Sequence, residues 1–422
     1  MASVARDARR PAVTRAMRPA AAARHVGAFL CMACASAAIL RFPIGAFYGG
    51  LLMLTLAGCN QRPAPMLVAM LCAAALITLG PLVALKLPIQ VDGNDKPQYL
   101  NFMAEMHAYG IAHIAAKQPE LLSFASLHVA ATLFGANDLA FLTLFQAYFG
   151  LLLLAIWRTG YRALPLFMML FLSSSSFFGT YGNLLRQAMA LPFLILMIAA
   201  RGRAGAACCA ALSGLAHLPA LAIAAPYLLL RCAGRLATPV GIVAGVLAVL
   251  ASRMGWGTPA SSNAGDSYLS GKVDLYTSWD NYSTFDVTIF ALALFALCCA
   301  LWWRGRAWRA LTDERTLDSI RRCLLALTIA AVALVATQHM TKVYERVYIY
   351  FFVTALMTLS LMIAQLRHGP FKGVVLCAAI IYGAYGFAKN IDNQSLLFRG
   401  DGYVYLTSSL LDLYDDFLLE LE

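Results

Sequence analysis

Thirteen apolar runs, most of them roughly 15–22 residues long, divide this chain of 422 residues. They lie at 26–41, 44–59, 66–87, 138–157, 163–179, 184–200, 204–216, 217–230, 239–254, 287–303, 323–340, 344–366 and 371–388. Backbone amides cannot be left unpaired in hydrocarbon, so only helices and closed barrels cross a bilayer. The runs are continuous rather than alternating, which excludes a barrel. The chain is 61% hydrophobic and 13% charged, where soluble domains carry about a quarter charged residues. The sequence predicts an all-α, polytopic integral membrane protein with about 13 transmembrane helices. Runs 204–216 and 217–230 are short and read as two half-helices meeting at His217-Leu218-Pro219. Residues 121–135 read as a half-helix or re-entrant segment.

The net charge of +11 is a topology signal. With the N-terminus in the cytoplasm, 21 of the 32 basic and four of the 21 acidic residues fall inside, a split of +17 against −6. That follows the positive-inside rule, and thirteen spans put the C-terminus on the outer side. No aromatic stacking platform accompanies the basic residues, so nucleic acid is excluded as a partner. All 11 cysteines fall in or beside apolar runs, which excludes a disulfide framework.

Residues 1–25 read as a disordered basic N-terminus and 26–388 as the transmembrane domain. Outer loops 88–137 and 255–286 are long enough to build something. The first carries Phe102, Met103, Met106, Tyr109 and Ile111 near helical spacing, which suits an interfacial helix. The second mixes Trp256, Tyr268, Trp279 and Tyr282 with Asp266, Asp274 and Asp280. It fits carbohydrate recognition and an interfacial aromatic belt equally. Residues 389–422 read as an acidic amphipathic tail.

Four groups of polar residues have no topological reason. Tyr181-Gly182-Asn183-Leu184-Leu185-Arg186-Gln187 opens a span. An arginine there adds its planar fork of donors to the free N–H groups of a first helical turn, an arrangement suited to phosphate or pyrophosphate. Arg346 opens another span, with Tyr350 on its face and Tyr344 nearby. His217 lies at a helix break, and imidazole can move a proton near neutral pH. Asp92, Asp95, Tyr99, Glu105 and Glu120 form an acidic group, in which Glu120 starts the short run 121–135. Walker A, H-E-x-x-H, G-x-S-x-G, D-x-D and Cys/His metal spacings are absent, so no cofactor or metal is expected.

Three motifs together carry a family resemblance: Asn183-x-x-Arg186-Gln187-x-x-Ala190, His217-x-Pro219-Ala220 and Arg346-x-x-x-Tyr350-Phe351. They resemble the EpsG-type polysaccharide polymerases, Wzy-like proteins of bacterial exopolysaccharide and O-antigen assembly. Asp95 and Tyr99 stand where that family shows Asp then Tyr, and Pro119-Glu120 reverses its Glu-Pro-like pair. The resemblance runs from about 90 to 366. It implies a glycosyltransferase that moves a growing glycan from undecaprenyl pyrophosphate to an incoming lipid-linked repeat unit. Arg186 and Arg346 would hold the departing pyrophosphate, and His217, Asp95 or Glu120 would take the acceptor proton. Tyr181, Asn183, Gln187, Asp92, Tyr99, Tyr344 and Tyr350 are the candidate substrate-binding residues. No metal is required, since two arginines offset the pyrophosphate charge. Its partners would be the undecaprenyl-pyrophosphate-linked oligosaccharide, membrane lipids, a chain-length regulator and a flippase. The alternatives are a flippase or transporter for lipid-linked glycan or an organic anion, or another transferase such as an O-antigen ligase.

Overall fold

The computed structural model describes residues 34, 37–57, 63–86, 88, 94–112, 119–233, 284–305, 312–338, 340–366, 369–392 and 404–419. Among them every regular element is helical. The helices are α1 (Pro43–Ala57), α2 (Pro65–Ala84), α3 (Lys96–Tyr109), α4 (Leu121–Phe134), α5 (Asp138–Gly160), α6 (Leu164–Phe171), α7 (Ser175–Gly182), α8 (Leu185–Ala199), α9 (Arg203–Ala216), α10 (Leu221–Ala233), α11 (Phe285–Arg304), α12 (Glu314–Ala336), α13 (Thr341–Gln365), α14 (Pro370–Asp392), α15 (Val404–Thr407) and α16 (Leu410–Leu419).

Among the described residues, six helical segments are long and apolar enough to cross a membrane, and a bent pair makes up to seven; the expected count of about 13 is not reached there. Those at 43–57, 121–134, 203–216 and 218–232 are shorter apolar helices. The run 163–179 is not one helix. Gly160 leaves helical backbone (φ 173°, ψ 95°), a single 3-10 turn follows at Tyr161–Ala163, and α6 ends at Phe171. The Ser174 side chain then caps α7 by accepting from Phe177 N–H at 3.3 Å. α12 begins nine residues before the apolar run 323–340 because Asp313 caps it, accepting from Thr316 N–H at 3.0 Å. Runs 26–41 (mostly), 239–254 and most of loop 255–286 lie outside the described residues.

α13 is the central post, buried along nearly its whole length, with α12, α11 and α6 against it. α5 packs on α2, α4 and α8, and α8 on α9. α11 and α14 keep most of their apolar surface outward, as lipid-facing helices do. Gly386 lets α14 approach α6: a Cβ there would collide with the Ser173 carbonyl, to which Asn390 Nδ2 also donates at 2.9 Å. The interfacial helix expected after residue 95 is α3. Its buried stripe of Tyr99, Met103 and Met106 faces α4, so it belongs to the bundle.

The expected acidic tail starts later than 389, because α14 continues to Asp392. Its helix α16 lies against α2, with Leu413 and Phe417 buried. Tyr414 Oη donates to the Ile77 carbonyl at 3.0 Å. Pro81, inside α2, has no N–H to offer that carbonyl four residues earlier. The tail tyrosine supplies the missing donor.

Candidate functional site

α7 and α8 are the bent pair, meeting at 110°. Asn183 (φ −125°, ψ −46°) and Leu184 (φ −100°, ψ 55°) leave helical geometry between them. α8 therefore starts afresh at Leu185 inside the bundle. Its N-cap residue, Leu184, offers no capping side chain, and Tyr99 hydrogen-bonds both the backbone and the side chain of Arg186 in the first turn. Arg186 is 14 residues from Ala200 at the other end of α8, or ~21 Å along the axis.

Glu120 is the hub of the site. It precedes α4 and is buried. Its Oε2 accepts from Arg186 Nη1. Its Oε1 accepts from His217 Nδ1 at 2.6 Å and from Leu218 N–H at 3.1 Å. His217 has extended backbone (φ −155°, ψ 112°) between α9 and the 3-10 turn Leu218–Ala220, with Pro219 in that turn. The break expected at His217 is therefore present. Ser123 Oγ donates to the Ala216 carbonyl at 2.5 Å, tying the first turn of α4 to the end of α9. Three segments distant in sequence are thus held together by one carboxylate.

The chemistry of His217 follows. An ionised carboxylate only accepts, so Nδ1 carries the hydrogen and Nε2 keeps its lone pair. His217 is buried, and Nε2 has no hydrogen-bond partner among the described residues. The Tyr350 hydroxyl is likewise buried and without a hydrogen-bond partner there. It lies in the electrostatic reach of Glu120, Arg346 and Arg186. His217 is acted on by both Arg346 and Arg186, and Tyr99 lies beside Arg186. The two arginines, 160 residues apart in sequence, therefore both act electrostatically on the same histidine and tyrosine.

Other expected residues are placed differently. The Tyr181 ring packs among Phe145, Phe149 and Phe177, with centroids 5.3–5.4 Å away, as part of an aromatic core. Tyr344 bonds Thr288 Oγ1 at 2.9 Å and joins α13 to α11. Asn183 Oδ1 accepts from Lys86 Nζ. Gln187 is buried, and neither of its amide atoms has a hydrogen-bond partner among the described residues. Asp95 immediately precedes α3. Asp92 lies outside the described residues.

Sequence reasoning passed over two lysines and an aspartate. Lys96 is fully buried and uses all three donors: Ala84 O at 2.6 Å, Lys86 O at 2.6 Å and Asp138 Oδ1 at 2.5 Å. It closes the end of α2, whose last carbonyls would otherwise be orphaned. The signal was present: Lys86, Lys96 and Asp138 all stand at the side that should be poor in lysine.

Fold and site together define a polytopic helical membrane protein with a buried arginine–carboxylate–histidine centre at one end of its bundle. The EpsG family model matches residues 71–404, and the chain belongs to that family. The match extends beyond the motif-bearing region, 90–366, on both sides. No individual curated protein and no solved structure matches the chain.

Proposed function

We propose that the protein is a polysaccharide polymerase that transfers a growing glycan from undecaprenyl pyrophosphate to an incoming lipid-linked repeat unit. The observation that carries this reading is the Glu120 hub, which joins a fixed guanidinium to a histidine whose second nitrogen is open for proton transfer. The acceptor hydroxyl oxygen attacks the anomeric carbon, and the bond from that carbon to the pyrophosphate oxygen breaks. The hydroxyl proton goes to His217 Nε2, with Glu120 orienting the ring and balancing the imidazolium. The electron pair leaves on the pyrophosphate, where Arg186 and Arg346 offset the charge in place of a divalent ion. Of the three residues that could take the proton, His217 is favoured over Glu120, which is already committed to three donors.

The reaction is placed at the outer face of a bacterial inner membrane, with the N-terminus cytoplasmic, working beside a flippase and a chain-length regulator. The test is a gel of surface polysaccharide from a deletion strain complemented with each variant. Wild type restores a ladder, whereas Arg186→Lys leaves a single-repeat band. An unchanged ladder in Arg186→Lys removes the bidentate clamp. Loss of all surface glycan on deletion, with carrier retained inside, replaces the polymerase by a flippase.

A further inference from the structure

α9 and α10 are the two arms of a hairpin whose apex is His217 and the 3-10 turn Leu218–Ala220. The arms are tight at the apex. A Cβ on Gly214 would stand 2.6 Å from Leu221 Cδ2, so only glycine admits that approach. At the other end the arms part. A groove of about 290 Å³ lies between them there, lined by Arg203, Ala204 and Ala207 of α9 and by Leu228, Arg231 and Cys232 of α10. Ala204, Ala207 and Cys232 are exposed, so the groove opens on the outside of the bundle. Arg231 is held in place by the Ala200 and Arg201 carbonyls, at 2.7 and 2.6 Å. Arg203 is exposed at the mouth.

The lining says what would occupy it. Of these six residues two are guanidiniums, four are apolar and none is a carboxylate. That suits an amphiphile with an anionic head, and basic pockets between membrane helices take anionic lipid headgroups. The volume falls at the lower bound of ligand cavities, about 300 Å³. It fits one headgroup with the start of its chains. Arg201, Arg203, Arg231 and Arg322 gather at this end, which sets it at the level where charged side chains meet headgroups. We propose that the groove binds one anionic phospholipid, its phosphate on Arg203 beside the fixed charge of Arg231 and its chains along Ala204 and Ala207. So filled, the open end of the hairpin is braced, and the hairpin carries His217 at its apex. The site lies at the opposite end of α8 from Arg186, and the proposal stands whether or not the reaction above is correct.

The experiment uses purified full-length protein in detergent, with lipid adducts counted by native mass spectrometry. The probes are dioleoyl phosphatidylglycerol and dioleoyl phosphatidylcholine, which share chains and differ in net charge. Wild type is expected to bind the phosphatidylglycerol about tenfold more tightly, the scale of one charge-assisted hydrogen bond. Arg203→Gln should cut that preference to about twofold or less, and Arg203→Lys should keep most of it. Ala207→Phe keeps both arginines but fills the groove, and should lose most of the phosphatidylglycerol binding. Arg315→Gln removes an exposed arginine of α12 outside the groove, and should leave the preference within about twofold of wild type. No preference in wild type, full preference in Arg203→Gln, or unchanged binding in Ala207→Phe overturns the assignment. An equal loss in Arg315→Gln overturns it too, in favour of diffuse surface charge. Displacement of the lipid by excess inorganic phosphate would make the groove a simple anion site, and a second copy of the chain in place of lipid would make it an interface; either removes the lipid site. Should Ala207→Phe fail to fold, the Arg203 and Arg315 variants decide.

Discussion

Arginines attend both ends of α8, and they do different work there. At the Ala199 end, Arg322 Nη1 donates to the carbonyls of Ala200 at 2.7 Å and Ala199 at 3.2 Å. Arg231 Nη2 donates to Ala200 O at 2.7 Å and Arg201 O at 2.6 Å. Every helix leaves four carbonyls open at its C-terminus, and cations there also suit the dipole. Two arginines from α10 and α12 closing α8 in this way need no further purpose. At the other end the dipole disfavours a cation, yet Arg186 stands in the first turn and reaches a carboxylate on another segment. That carboxylate also holds a histidine by one ring nitrogen and leaves the other open. Helix termination asks for none of this. The contrast separates a clamp that keeps the bundle together from a centre that keeps reactive groups apart from solvent.

The strongest way to break that contrast is at the hub. Glu120→Gln preserves shape but presents one carbonyl oxygen and an NH2 group to three donors. The imidazole loses its orienting anion, and polymerisation should fall by about 10³–10⁴-fold. His217→Gln should fall by about 10²–10⁴-fold through loss of the base. Polymer formed per folded molecule, read from lipid-linked substrate in detergent, checks both. If either variant keeps wild-type turnover, the site end is merely another structural clamp.

The clamped end should behave in the opposite way. Arg322→Ala removes charged hydrogen bonds from the α8 terminus and should lower stability by about 2–3 kcal/mol. Turnover per folded molecule should hold within about twofold of wild type. Thermal unfolding of the purified protein, followed beside the turnover assay, separates the two quantities. A turnover loss as large as that of His217→Gln would mean that the two ends are coupled through α8 and that the division is false.

Much of this was legible before the fold was known, and the rest was hidden for physical reasons. Arg186 and His217 stood out because polar residues interrupt long apolar runs, and Pro219 marked the break beside His217. The pairing of Glu120 with His217, 97 residues away, follows from no local pattern, since tertiary packing alone brings α4 to the end of α9. Lys86 was hidden at the end of an apolar run, where it reads as a snorkelling terminus. The break of run 163–179 was visible only as the serines 173–176, which hydropathy passes over and capping chemistry does not. The packing of Tyr181 followed from no local pattern: its ring lies in the aromatic core of α5 and α7, while its hydroxyl is buried without a hydrogen-bond partner among the described residues.

Between the two ends, the tail offers a smaller effect. Tyr414→Phe leaves the Ile77 carbonyl without the donor that replaced the missing Pro81 N–H, and should cost about 1 kcal/mol. Pro81→Ala restores an N–H to α2, so in that background the same change should cost less. The double-mutant cycle, read by thermal unfolding, should show a coupling on the order of 0.5–1 kcal/mol. A cycle that closes at zero would mean that α16 is held by Leu413 and Phe417 alone.

The smallest effect lies at the start of α16. Ser409 N–H donates to Asp412 Oδ2 at 2.7 Å, and Asp412 N–H donates to Ser409 Oγ at 3.2 Å, a reciprocal cap. These hydrogen bonds hold the Asp412 carboxyl below its ordinary range. A group whose folded value is depressed stabilises the fold above its unfolded value and loses that contribution as pH falls through the folded one. Acidification to below about pH 4 should therefore loosen α16 first. Limited proteolysis between residues 404 and 419 should quicken there while cleavage elsewhere does not. Asp412→Asn should flatten that pH dependence and leave turnover at neutral pH unchanged, because the cap touches neither Glu120 nor the clamped end.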